Sequence, residues 1–156
     1  MRITLIFTGN TKVSYIAEGT NDYIQRLGHY VPLRIIKTRD LKTTRKRSPE
    51  DIKTAEGKLI LQHIKPSDHI ILLDAHGKKF SSEQFAKKLN SLEGRTGNCV
   101  FIVGGAYGFS KDVYSAASEK ISLSDMTFSH QMVRMILAEQ LYRAYTILKG
   151  EPYHHN

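Results

Sequence analysis

Three segments of the chain combine glycine, serine and a few charged groups in a way that suits a ligand site. They are residues 73–86 (LDAHGKKFSSEQFA), 104–110 (GGAYGFS) and 122–131 (SLSDMTFSHQ). Glycines at 104, 105 and 108 either let a ligand lie against bare backbone or serve a turn that needs positive φ, and the residues alone leave both readings open. A fourth group closes the chain. His130, Arg134, Glu139, Gln140 and Arg143 stand among Met132, Val133, Ile136, Leu137 and Leu141, and Tyr153, His154 and His155 follow. Imidazole, guanidinium and phenol can move a proton or stabilise charge on a polar ring. Lys37, Arg39, Lys42, Arg45, Lys46 and Arg47, opposed only by Asp40, form a basic stretch suited to phosphate contacts.

Several other chemistries fit poorly. A dinucleotide site requires G-x-G-x-x-G at the first strand-to-helix turn, and the glycines at 104, 105 and 108 match neither the spacing nor the place. No G-K-S or G-K-T occurs, which argues against a phosphate-binding P-loop. The histidines form no H-E-x-x-H, and with Cys99 as the single cysteine no metal site is expected. That lone thiol also excludes an intrachain disulfide framework and fits a reducing cytoplasm.

The elements that must position these groups follow from hydrophobic spacing. Short apolar and β-branched runs at residues 2–8, 33–37, 69–73, 99–103 and 120–123 read as buried strands. Val13, Ile16, Ala17, Thr20, Tyr23, Ile24 and Leu27 recur at helical spacing. Ser48 followed by Pro49 and Glu50 opens a second helix, and Ser81 with Gln84 makes a capping box before Phe85, Ala86 and Leu89. A short helix is expected over residues 110–117, and a long one from 129 to 149 with Gly150 as its stop. The long helix is apolar around most of its girth, which predicts burial on several sides, either beneath its own sheet or against a second subunit. Five strand–helix alternations argue a three-layer α/β sandwich with a mostly parallel sheet, occupying residues 1–156 as one domain. Ligands in such sheets sit at the carboxyl ends of the strands, where the three peculiar segments fall.

Charge narrows the partner class. The chain carries 23 Lys plus Arg against 15 Asp plus Glu, a net +8, which favours a polyanion such as nucleic acid. No apolar run approaches the ~20 residues of a membrane span, and Thr8, Gly9, Asn10 and Thr11 interrupt the opening run before a signal-peptide core could form.

At these loops and at its end the chain resembles the RlmH family of the SPOUT superfamily. The likeness lies in LDAHGK and SSEQFA between residues 73 and 86, FIVGGAYG at 101–108, SLSDMTFSHQ at 122–131, EQLYRAY at 139–145 and PYH at 152–154. Ser129 stands where the family commonly has proline, and the chain ends in His154, His155 and Asn156 rather than histidine and one charged residue. The resemblance implies a deep trefoil knot near the carboxyl end, a homodimer, and S-adenosylmethionine-dependent methylation of N3 of a pseudouridine in 23S ribosomal RNA. It implies a cofactor pocket made by Leu73, Gly104, Gly105, Leu123, Ser124, Asp125, Met126, Thr127 and Phe128. His130, Arg143, Tyr153 and His154 are the groups available for catalysis, and Arg39, Lys42, Arg45, Lys46 and Arg47 of the basic stretch are the expected RNA contacts. Two other classes share part of this pattern. A plain RNA-binding protein would have the charge without needing three strand-end loops, and a flavodoxin-like nucleotide enzyme would have the alternation but needs a phosphate motif.

Overall fold

The computed structural model describes residues 1–41 and 47–155. Its strands are β1 (Arg2–Phe7), β2 (Leu33–Lys37), β3 (His69–Lys79), β4 (Asn98–Val103) and β5 (Glu119–Ser122). Its helices are α1 (Ser14–Leu27), α2 (Pro49–Leu61), α3 (Ser82–Leu92), α4 (Lys111–Ala116) and α5 (His130–Lys149). All neighbouring strands pair in parallel, in the order β2-β1-β4-β3-β5. The period of two divides the apolar side chains between two clusters. Ile3, Leu5, Phe7, Cys99, Phe101 and Val103 join Phe85 and Leu89 of α3 and Leu137 and Leu141 of α5. Ile6, Val100, Ile102, Ile70 and Leu72 join Ile60 of α2 and Val113 of α4. Replacing Phe101 or Leu141 by alanine would cost about 3–5 kcal/mol, because neither site touches solvent.

Local chemistry sets the helix ends as expected. Ser48 and Ser81 make capping boxes with Asp51 and Gln84, Ser110 and Ser129 cap α4 and α5, and Gly150 ends α5 at φ 68°. The start of α1 has no side-chain cap of its own. Instead Gln131 Oε1 accepts from the backbone N–H groups of Lys12 and Val13 at 2.9 and 3.1 Å, so α5 fixes where α1 begins.

One expectation needs correction. Strand β3 was expected to end at Leu73, but it resumes through Lys79. Leu73 and Lys78 both pair with Ile121, so residues 74–77 bulge out before the ladder continues. Gly77 allows this: a Cβ there would lie 2.4 Å from the backbone carbon of Ile121. The polar DAHGKK sequence hid a strand whose partner is only the edge strand β5. Helix α5 contacts α1, α3 and β4, and none of its residues from 130 to 148 is exposed even in a single chain. Its Leu137, Ala138, Leu141 and Ala144 are buried, while Met132, Val133 and Ile136 are half-buried.

Cys99 lies in the central strand with no exposure, and burial, with Glu119 nearby, pushes its thiol up to about 12. No described helix is long and apolar enough to cross a membrane.

Candidate active site

The bulge within β3 and the loops after β4 and β5 converge on a cleft of ≈ 600 Å³. Leu73, Gly104, Gly105, Leu123, Ser124, Met126, Thr127 and Phe128 all line it, together with His130 at the start of α5. Asp125 does not line it; its carboxylate is exposed and pairs with Lys79. The last loop is held by its own serines, since Ser122 Oγ donates to Ser124 O at 2.9 Å and Ser124 Oγ accepts from Met126 N–H at 2.9 Å. Met126 is 76% exposed, an unusual state for a thioether that has no core to fill.

The glycines serve the site differently from one another. Gly108 is a turn residue at φ 79°, its N–H donating to Gly105 O at 3.2 Å. The missing Cβ of Gly105 does not face the large cleft. It would lie 2.6 Å from the Glu56 carboxylate. Sequence reasoning passed over Glu56. It projects from α2, is half-buried, and its Oε2 is buried with no hydrogen-bond partner among the described residues. Burial alone raises its pKa.

Glu56 opens on a second, smaller cleft of ≈ 260 Å³, also lined by Asn10, Lys12, Arg39 and Asp40. The clefts share Gly105, Ala106, Tyr107 and His130 as a common wall. Burial lowers the pKa of His130, and Arg134 and Lys12 add to the effect, which favours the neutral imidazole. Arg134, which the sequence marks only as one polar member of the last helix, builds this wall from behind. It is fully buried, donates through Nη1 to Gly9 O at 3.0 Å and Thr11 Oγ1 at 2.9 Å and through Nη2 to Thr8 O, and lies 5.4 Å from the centre of the Phe7 ring. A guanidinium so placed clamps the end of β1 to α5. A charged side chain four residues after His130, on the apolar side of the helix, was the available sign.

The other expected catalytic groups gather at the far end of α5. Arg143 donates through Nε to Glu139 Oε1 at 3.0 Å and lies 4.7 Å from the Tyr153 ring centre. Tyr153 packs edge-on against Tyr142 at 4.7 Å, and its hydroxyl donates to Glu139 at 3.1 Å. Burial, then Tyr23 and Glu139, raise the Tyr153 phenol far above its ordinary range. Arg143 Nη1 meets His154 Nδ1 at 3.3 Å, and His154 Nε2 meets Glu83 Oε1 at 2.6 Å. Guanidinium can only donate, so Nδ1 accepts and Nε2–H donates to Glu83. The chain end is thus tied down, and Arg143, Tyr153 and His154 come together as expected. They do not reach the cleft in their own chain, because thirteen residues of helix, roughly 20 Å, separate Arg143 from His130. Of the expected RNA contacts, Arg39 and Arg47 are exposed, while Lys42, Arg45 and Lys46 fall outside the described residues.

A parallel α/β sheet with a cleft at its strand ends has the form of a small-ligand-binding domain, and comparison with known proteins narrows the class. A family model described as "Predicted SPOUT methyltransferase" matches residues 1–154. The chain is 50% identical to the Ribosomal RNA large subunit methyltransferase H of Parabacteroides distasonis, over 99% of each chain. It is 48% identical to the protein of that name from Bacteroides fragilis, again over 99% of each, and 47% identical to that of Cytophaga hutchinsonii, over 99% of this chain and 100% of the other. This chain belongs to the SPOUT methyltransferases and, within them, to the RlmH family. A solved structure of a probable methylase family protein from Haemophilus influenzae shares the fold at 8% identity, with a TM-score of 0.57 over 95% of this chain and 66% of that one.

Proposed function

We propose that this chain is an S-adenosylmethionine-dependent methyltransferase acting on N3 of a pseudouridine in the 23S RNA of the large ribosomal subunit. The observation that carries this reading is the ≈ 600 Å³ strand-end cleft in a chain so like proteins named for large-subunit RNA methylation. Its size lies within the usual ~300–1,000 Å³ of small-ligand sites. Its walls fit the cofactor: Leu73, Leu123 and Phe128 offer apolar cover for adenine, and the Gly104–Gly105 backbone offers polar groups without side chains in the way. When bound there, the cofactor supplies an electrophilic methyl carbon. Gly104, Ser124, Met126 and Thr127 would hold and orient it. His130, neutral and on the cleft wall, can hydrogen-bond an incoming base.

Residues 1–156 act as one domain in this reading, in three layers with the family's carboxyl-terminal knot, and the protein works in the cytoplasm. It works as a homodimer, because the Arg143–Tyr153–His154 group lies too far from the cleft of its own chain. In a pair, the tail of one subunit completes the cleft of the other, where Arg143 stabilises negative charge on the ring and Tyr153 stacks or donates. Arg39, Lys42, Arg45, Lys46 and Arg47 contact RNA phosphates. The test is calorimetry with S-adenosylmethionine beside tritium-methyl incorporation into ribosomal particles from cells lacking the modification. Binding and label at a single pseudouridine are expected; no cofactor binding would end the proposal.

A further inference from the structure

A carboxylate with a buried, unpartnered oxygen calls for a physical reason, since such an oxygen loses its hydration and gains nothing in return. Two carboxylates line the smaller cleft, and only one is open. Asp40 accepts from Asn10 N–H at 2.9 Å and Asn10 Nδ2 at 3.0 Å, bonds that hold its pKa below the usual range. Glu56 Oε2 has no partner among the described residues and abuts the bare backbone of Gly105. That glycine, Tyr107 and His130 are also walls of the large cleft, so whatever enters the small one lies against the cofactor's site. A volume of ≈ 260 Å³ is below the usual range for a whole small-molecule ligand, yet it equals on the order of nine water volumes, room for one planar ring. Lys12 and Arg39 supply positive charge along its side.

We propose that the smaller cleft seats the ring of the acceptor base and that Glu56 takes the proton from that ring's N–H, an inference that rests on the methyl-transfer reading above. The N–H bond breaks with its electron pair staying on nitrogen, and the proton passes to the Glu56 carboxylate. Negative charge spreads to the ring carbonyls, near Lys12 and Arg39. The nitrogen pair forms the new bond to the methyl carbon, and the pair of the broken carbon–sulfur bond stays on sulfur, leaving a neutral thioether. Burial suits Glu56 to this role, because a base works best when its pKa is drawn up toward the working pH.

Glu56→Gln keeps the shape and cannot take the proton. In the full-length protein it should bind S-adenosylmethionine within about twofold of the parent by calorimetry, yet transfer tritium-methyl to ribosomal particles about 100-fold more slowly at pH 7. That deficit should shrink as pH rises to about 9, where hydroxide ionises the ring without help, while Glu56→Asp should recover part of the rate. Lys12, Arg39, Asp40, Tyr107 and His130 also face this cleft, and burial lowers the pKa of His130, which favours its neutral form as pH rises. Melting of the cofactor-free protein gives a readout independent of turnover. The folded state holds the Glu56 proton more tightly than the unfolded chain, so the parent loses stability as pH rises through the folded pKa. Glu56→Gln should therefore melt higher than the parent at pH 8 and equally at pH 4. A rate within about threefold of the parent, a lower melting temperature at pH 8, or lost cofactor binding would each overturn the assignment, the last two by making Glu56 a structural or cofactor residue. If the parent itself places no label on the particles, the methyl-transfer reading fails, and this inference with it.

Discussion

The two ends of α5 hold sites of opposite construction. At its start the cleft is walled by strand-end glycines and serines together with apolar and aromatic side chains such as Leu73, Phe109 and Leu123, and its outer lip, Met126 and Phe128, is exposed. At its end Glu139, Arg143, Tyr153, His154 and Glu83 interlock through side chains, with each polar group already matched. The difference teaches where each function is vulnerable. The cleft is shaped by loops that the sheet itself holds in place, whereas the tail can lose its chemistry at only a small cost to the fold.

The strongest way to break the comparison is to remove the tail. Deleting residues 153–156 should lower methyl incorporation at least about 100-fold while cofactor affinity stays unchanged, an effect sized by the loss of positioned charge and proton-handling groups. The edge-on packing of Tyr153 against Tyr142 is lost as well, so stability should fall by about 1 kcal/mol. Arg143→Ala should behave likewise. Full incorporation by the truncated protein would reduce the tail to packing.

Neutralising Arg45, Lys46 and Arg47 together comes next, with particle binding weaker by about tenfold at moderate salt. The slope of log affinity against log salt should flatten by about 0.7–0.9 for each phosphate contact removed. Calorimetry with the cofactor should show no change, which separates this surface from both ends of α5.

Gly105→Val sharpens the comparison from the cleft side. Its Cβ collides with the Glu56 carboxylate, so the loop must shift, and cofactor affinity should fall by about fivefold, roughly 1 kcal/mol by the affinity scale. The melting temperature should fall too.

The smallest effect is acidic. Glu83 is held down to about 2, first by the Ser81 hydroxyl and then by His154. A depressed carboxylate contributes stability above its unfolded pKa of ~4.3 and loses it as pH falls toward the folded value. Between about pH 4 and 2 the tail should loosen, seen as a shift of the Tyr153 ring resonances while core resonances hold. Simultaneous loss of both would mean the tail is part of the core.

Much of this was legible beforehand. Serine caps at 48, 81, 110 and 129 and the stop at Gly150 are local signals, and each helix edge they imply is present. The loops that form the cleft were visible as odd strand endings. What escaped notice depends on distant partners. The strand from His69 to Lys79 continues past polar residues only because β5 accepts it, and Gly77 looks like any loop glycine until Ile121 is beside it. Glu56 reads as one more charge on an amphipathic helix, because periodicity carries no record of Gly105 pressing on its carboxylate. Arg134 likewise gains its meaning from the carbonyls at the end of β1.

The placement of Cys99 makes the molecule its own stability gauge. Its thiol sits in the middle strand of the sheet and resists ionisation, so an alkylating reagent can reach and attack it only when the core opens. With the reagent slow relative to reclosing, the labelling rate counts the fraction of molecules open at any moment, without denaturant or an added dye. A ligand that binds the closed form alone must slow that rate by the factor 1 + [L]/Kd, which turns a single sulfur into an affinity meter for whatever occupies either cleft.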